Sequence, residues 1–240
     1  MAEDRRIKLI ELAREYDFHV LADEVYEMLG FEGEDGSRPS PPKPLFFYDD
    51  KEDGHVVTVG SFSKILAPAL RVGYLVCPPP VMKKMMNSGQ LDSSGGINPV
   101  MSGIVHKAID MGLQKEHLIA VQKELGDRAR TLSKALHEHL PEGCWFQEPA
   151  GGYFLWIRVP EGVDGALLAD HAMVNHKVKV LPGVKFGATL TKFIRLSFSY
   201  YNAGDLATGA QRLGEAIKTY IANGGPVGDA AGASAKAGGR

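Results

Sequence analysis

The chain has 240 residues, 44% hydrophobic and 23% charged, with 27 Lys and Arg against 29 Asp and Glu and a formal net charge of −2. That composition belongs to a globular fold and excludes a disordered, collagenous or coiled-coil chain. The near-neutral balance gives no electrostatic reason to expect nucleic acid or an anionic membrane as partner. Chains of this length bury roughly 70–75% of their unfolded surface, so the core needs no disulfide or metal support. The two cysteines, Cys77 and Cys144, form no CxxC or metal spacing and fit a reducing compartment. No apolar run reaches membrane-spanning length. The start, Met-Ala-Glu-Asp-Arg-Arg, leads into a helical pattern rather than a signal peptide, so the expected localisation is cytoplasmic.

Leu9, Leu12, Ala13 and Tyr16 recur at helical spacing and predict an amphipathic helix over residues 3–16. Phe18 to Ala22 is a short apolar run ending at Asp23, the pattern of a buried strand. Residues 32–44 are rich in Gly, Pro and Ser and read as a loop. Residues 56–60, mostly β-branched, predict a second strand, and residues 71–76 a third, stopped by Pro78-Pro79-Pro80. Leu118, Val121, Leu125, Ala129, Leu132, Leu136 and Leu140 lie three and four apart and predict a long helix. Strands follow at residues 152–159, 178–181 and 193–198, then a helix through Leu206, Ala210, Leu213, Ile217 and Tyr220, capped by Asp205. From residue 222 onward there is almost nothing to bury, which predicts a disordered tail. The expected organisation is α/β: an incomplete α/β domain over residues 1–115 with too few strands for a doubly wound sheet, then a smaller α+β domain over residues 116–221.

Lys64 follows the second strand in Gly60-Ser61-Phe62-Ser63-Lys64. A lysine there is either a solvated loop residue or an amine made nucleophilic by desolvation or neighbouring cations. Asp23, at the end of another strand, is either a helix cap or the partner of a protonated ring nitrogen, and Tyr26 follows three residues on. Arg71, read as the start of the third strand, joins Ser61 and Ser63 as a set of hydroxyl and guanidinium donors suited to phosphate. A lysine for an aldehyde, a carboxylate for a pyridine nitrogen and a phosphate cradle are the requirements of pyridoxal phosphate. Arg195 lies in the alternating run Phe193 to Phe198, where a guanidinium needs either a surface ion pair or a bidentate carboxylate. The eight histidines read as surface or cap residues rather than zinc ligands.

Five ordered motifs carry a family resemblance: Ala22-Asp23-Glu24-Val25-Tyr26; Ser61-Phe62-Ser63-Lys64 with Arg71-Val72-Gly73-Tyr74; Pro149-Ala150-Gly151-Gly152-Tyr153-Phe154; Leu181-Pro182-Gly183; and Ile194-Arg195-Leu196-Ser197-Phe198. In that order they resemble the class I/II aminotransferases of fold type I, in the branch of 2-aminoadipate, aromatic and valine–pyruvate aminotransferases. The resemblance implies a pyridoxal 5'-phosphate enzyme exchanging amino groups between an amino acid and a 2-oxo acid. It implies that Lys64 joins the cofactor aldehyde and that Asp23 keeps the ring nitrogen protonated. Tyr26 would bond the ring hydroxyl, Ser61, Ser63 and Arg71 the phosphate, and Arg195 the substrate's α-carboxylate. Ser94-Gly95-Gly96 is similar to the family's substrate-side loop. Family members carry about another domain upstream, which supplies the rest of the sheet, a glycine-rich helix start, a ring-stacking aromatic and an asparagine. The expected chain is therefore the C-terminal part of such an enzyme, whose full-length form is a homodimer. The alternatives are an effector domain of a transcription regulator, a catalytically inactive fragment, or decarboxylation or β-elimination on the same cofactor.

Overall fold

The structure, a computed structural model, describes residues 1–33, 43–89, 91 and 97–225. The expected loop over residues 32–44 falls largely outside them, as do Ser94-Gly95-Gly96 and residues 226–240 of the expected tail. The chain divides into two compact units, Met1–Glu124 and Leu125–Arg240.

The first unit opens with α1, Glu3–Glu15, whose buried residues are Ile10 and Ala13, while Tyr16 stays outside and exposed. Next comes β1, Val20–Asp23, then β2, Val56–Ser61, the short α2, Phe62–Ile65, and β3, Gly73–Val76. The sheet order is β1-β2-β3, with β1 parallel and β3 antiparallel to β2. The register runs from Val20 opposite Val56 to Asp23 opposite Val59, and puts Gly60 opposite Tyr74. Ile10, Leu45 and Val56 form a core cluster against which Val20 and Ala22 pack. On the opposite face Val57 of β2 is covered, but β1 is not, so the strand expected to be buried is buried on one side only: Leu21 is 69% exposed.

The third strand begins at Gly73, two residues later than expected. Arg71 adopts a left-handed conformation (φ 54°, ψ 41°) after the 3-10 helix Pro68–Leu70, which ends the turn before the extended chain can start. The proline run both stops β3 and opens a helix the periodicity did not reveal, α3, Pro79–Met86. Another undetected helix, α4, Pro99–Asp110, also starts at a proline.

The long helix is α5, Leu113–His139, and the division between the units falls within it. The second unit contains β4, Trp145–Phe146; β5, Phe154–Arg158; α6, Gly165–His176; β6, Leu181–Pro182; β7, Phe193–Ser197; and α7, Ala203–Ala222. Its sheet is antiparallel, in the order β4-β5-β7-β6. Leu155, Ile157 and Ile194 from the sheet, Leu168 and Ala172 from α6, and Leu213 and Ile217 from α7 are almost completely buried. Helix α6 begins at Asp164, whose carboxylate accepts from the Ala166 and Leu167 amides at 2.8 and 3.0 Å. The strand expected over 178–181 is only the two-residue β6. The cap of α7 is Asn202, whose Oδ1 accepts from the Asp205 amide at 2.9 Å; Asp205 itself stands in the first turn. Ala222 closes that helix, and Gly224 and Gly225 donate to the carbonyls of Ile221 and Tyr220.

Three carboxylates organise the first unit. The fully buried side chain of Asp49 accepts from Arg14 at 2.7 Å and from the backbone amides of His55 and Val56 at 2.6 and 2.9 Å, tying α1 to the start of β2. Burial pushes its pKa up, but these bonds and one from the Asp50 amide outweigh burial and hold the carboxyl below its ordinary value. Glu24 accepts from the Leu45 amide at 2.9 Å and the Thr58 hydroxyl at 3.0 Å, with Arg6 at 3.7 Å. Glu27 is the opposite case. Its Oε1 is buried without a hydrogen-bond partner, and burial, reinforced by the negative charge of Glu24 and opposed by Arg6, pushes its pKa up to about 7.

These environments give opposite pH signatures. Asp49→Ala strands the His55 and Val56 amides at the start of β2, and because Arg14 is half exposed it can turn to water, so the expected cost is about 1–3 kcal/mol in urea unfolding. The contribution of Asp49 is present at neutral pH and disappears as pH falls below about 3.8. Glu27 loses its proton near pH 4.5 when unfolded and near 7 when folded, so stability falls as pH rises between those values. Glu27→Gln is expected to remove that fall and to raise the urea midpoint at pH 7. A Gln variant whose midpoint tracks the parent across pH 4.5–7 contradicts the assignment.

Candidate active site

At one end of the first sheet the alternation of strand side chains puts Asp23, Val59 and Ser61 on the open face. Asp23 is exposed and, among the described residues, its carboxylate makes no hydrogen bond or ion pair. The chain leaves β1 through the Glu24 amide, which donates to the Val59 carbonyl at 3.1 Å and carries the parallel pairing one residue further. Glu24 then turns its side chain to the covered face, so adjacent carboxylates serve opposite sides of the sheet.

Ser61 ends β2 and caps α2: its Oγ accepts from the Ser63 amide at 3.1 Å. The cap starts the single helical turn that carries Lys64, so Lys64 stands on a helical turn rather than in an open loop, and it is half buried. Its Nζ lies 5.7 Å from the centroid of the Tyr26 ring. Arg71 is exposed, with Nη1 3.5 Å from Ser63 Oγ and donating to the Pro68 carbonyl at 3.3 Å. Asp23, Ser61, Ser63, Lys64, Tyr26 and Arg71 therefore lie at the strand ends and turns of this end of the sheet, with contacts linking Ser61 to Ser63, Ser63 to Arg71 and Lys64 to Tyr26.

Two supports were not visible in the sequence. Asn98, itself left-handed (φ 58°), donates to the Leu70 carbonyl at 2.9 Å and pins the turn on which Arg71 sits. The Asn98-Pro99 pair is the local signal that marks it. On the covered face the Tyr74 ring lies across Gly60 so closely that a β-carbon on Gly60 would collide with it, which is why β2 carries a glycine just before Ser61. Burial first, then the negative charges of Glu27 and Glu24, pushes the Tyr74 phenol up from its ordinary value.

In the second unit Arg195 stands on β7 opposite Trp156 of β5 and Leu181 of β6. Its guanidinium lies over the Phe154 and Phe186 rings, 3.9 and 4.3 Å from their centroids. Among the described residues it makes no hydrogen bond or ion pair, so the surface salt bridge considered from the sequence is not formed and its in-plane donors are unspent.

Among the described residues no three His, Cys, Asp or Glu side chains are grouped to hold a metal ion. His55 departs from the surface reading of the histidines: its side chain is 21% exposed and its Nδ1 is buried without a hydrogen-bond partner. Cys144 is half buried, and burial pushes its thiol up to about 11, the state of an inert side chain.

A family model described as Aminotransferase class I and II matches residues 4–213. Aromatic-amino-acid aminotransferase 1 of Thermococcus litoralis is 34% identical over 221 residues, 91% of this chain and 50% of that protein. An uncharacterized HTH-type transcriptional regulator of Bacillus subtilis, YisV, is 27% identical over 92% of this chain and 44% of its own length. The crystal structure of Pyrococcus horikoshii kynurenine aminotransferase in complex with PMP superposes with a TM-score of 0.82 at 33% identity, over 92% of this chain and 53% of that one. The chain thus spans about half the length of these relatives. With the family matched across both units, and with a relative 34% identical over 91% of its length, this chain belongs to the class I and II aminotransferases.

Proposed function

We propose that the protein carrying this chain is a pyridoxal 5'-phosphate-dependent aminotransferase acting on an amino acid and a 2-oxo acid. The observation that carries the reading is the set of donors gathered at one end of the first sheet: Ser61, Ser63 and Arg71 linked by contacts of 3.1 and 3.5 Å, with Lys64 on the same turn. Hydroxyls beside a guanidinium fit a phosphate dianion. An exposed carboxylate at a strand end, with no partner among the described residues, fits a protonated ring nitrogen. The PMP bound by the Pyrococcus relative, the amino form of pyridoxal phosphate, supports the same group here.

When bound, pyridoxal phosphate supplies an aldehyde that takes up the amino group and a cationic ring that withdraws electrons from the substrate α-carbon. The chain's own residues do the rest. Ser61, Ser63 and Arg71 hold the phosphate and fix the position of the group. Asp23 keeps the ring nitrogen protonated, and the Tyr26 hydroxyl bonds the ring hydroxyl. Lys64 Nζ, held on its short helical turn, is first the anchoring amine and then the general base and acid that moves the α-proton. Arg195 receives the α-carboxylate through its unspent in-plane donors.

In this reading residues 1–115 are the C-terminal part of the cofactor-binding large domain and residues 116–221 the small domain, within a cytoplasmic homodimer of amino acid metabolism. Among the described residues no helix is long and apolar enough to cross a membrane. The alternative of a regulator's effector domain has the names of two Bacillus subtilis relatives behind it. It predicts the same cofactor linkage without turnover, so the amino-group transfer assay separates the two.

Borohydride reduction of the protein loaded with pyridoxal phosphate, followed by peptide mapping, is expected to put the covalent label on Lys64. A label on another lysine, or retained cofactor with no label, overturns the assignment. Asp23→Ala is expected to lower kcat about a hundredfold or more while changing cofactor affinity far less, because a neutral ring is a poor electron sink. Near-normal transamination by that variant makes Asp23 a structural residue.

A further inference from the structure

Two of the sequence motifs, Pro149-Ala150-Gly151-Gly152-Tyr153-Phe154 and Leu181-Pro182-Gly183, have no part in the chemistry above, yet each delivers a ring to Arg195. Phe154 opens β5, where Trp156 is the register partner of Arg195 and Phe154 that of Ser197, so Phe154 is a diagonal neighbour of Arg195 on the same sheet face. Phe186 arrives from the 3-10 turn Gly183–Lys185, with its amide donating to the Gly183 carbonyl at 2.8 Å. That turn is seated deeply: a β-carbon on Gly183 would collide with the Leu190 carbonyl and press on Phe193. Trp156 steadies the arrangement, stacked on Phe193 at 5.4 Å and meeting Phe186 edge-on at 5.5 Å.

A guanidinium is flat, its faces are weakly hydrated and its N–H donors lie in its plane. Rings whose centroids lie 3.9 and 4.3 Å from Cζ can hold the cation by its weakly hydrated faces, while among the described residues no oxygen acceptor takes its N–H donors. Phe186 is 46% exposed, so it is not filling the core. An aromatic ring left half in water and laid on a cation without an anionic partner among the described residues is placed for that cation.

We infer that Phe154 and Phe186 are positioning residues of the substrate-carboxylate site. They fix the plane of Arg195 before substrate arrives, so that both donors of its fork meet the α-carboxylate at once. Loss of a ring weakens carboxylate binding for amino acids of every side chain and leaves the proton transfer at Lys64 unchanged. Gly183 acts one step further out, because the turn that carries Phe186 fits only without a side chain there. The inference rests on the reading of Arg195 as the carboxylate receptor.

The test uses propionate as a bare carboxylate probe, propionamide as its uncharged control, and 15N-arginine NMR of the protein. The Arg195 Nε–H signal, assigned by its loss in Arg195→Lys, is expected to be shielded by the rings, to move downfield in Phe186→Leu and to stay in place in Phe186→Tyr. The propionate Kd is expected to rise about 3- to 10-fold in Phe186→Leu, to return to within about twofold in Phe186→Tyr, and to rise again in Gly183→Ala. In turnover, KM for amino acids rises with kcat kept within about twofold. Because Phe186 is half exposed, Phe186→Leu leaves the fold intact. An unchanged Kd in Phe186→Leu, with propionate still lost in Arg195→Lys, overturns the positioning role alone. Propionate binding that survives Arg195→Lys, or no propionate binding by the parent protein, overturns the reading of Arg195 itself.

Discussion

The parallel pairing of β1 with β2 is the constraint on which the first unit depends. Parallel strands run in one direction, so both C-terminal ends come out on the same edge, and the register fixes which residues meet there. With Asp23 opposite Val59, the chain after β1 yields Glu24 and Tyr26 while the chain after β2 yields Ser61, Ser63 and Lys64, all from neighbouring turns. A slip of one residue would turn Asp23 to the covered face and Ala22 outward. The antiparallel β3 then returns alongside β2, and Arg71, which precedes it, lies beside Ser63 for that reason.

Such a register needs fastening at both ends, and one buried and one part-buried carboxylate supply it. Asp49 holds the amides at the entrance of β2, and Glu24 holds Thr58 within it together with the Leu45 amide. Both use side-chain acceptors to satisfy donors that the short sheet leaves over. Glu27 shows what the same environment does to a carboxyl without donors: it keeps its proton toward neutrality. One small region thus contains a carboxylate held ionised and a carboxyl held neutral. The number of N–H groups within reach makes the difference, since both are desolvated.

How much of this was legible in the sequence differs by element. The long helix α5 and the strands β5 and β7 declared themselves because each buries one periodic face, and β2 through its β-branched run, buried on both faces at its start. Helix α6 did not: its Ala, Gly and His residues blur the helical period, and Asp164 as cap was the only local sign. Helices α3 and α4 begin at prolines, which read as breakers before they read as first-turn residues. The candidate residues Asp23, Tyr26, Ser61, Ser63, Lys64, Arg71 and Arg195 were legible from residue type and the order of the motifs. The left-handed turn at Arg71, the Asn98 clasp and the rings around Arg195 could not be read there, because each depends on contacts between distant segments.

In the proposed reading the two arginines show how one side chain is held for two purposes. Arg71 is fixed through its backbone: a left-handed residue costs on the order of 1 kcal/mol, and the Asn98 amide on the preceding carbonyl offsets part of that cost. Its guanidinium stays exposed and only loosely tied to Ser63, which suits a phosphate that accepts bonds from many directions. Arg195 has ordinary strand backbone and is fixed through its side chain, with rings over its plane and its donors unspent. A carboxylate has one plane and two oxygens, so it gains from a receptor whose plane is already set. Restraining the flat cation by its faces is the one restraint that leaves the whole donor edge available, and aromatic rings are the side chains able to supply it.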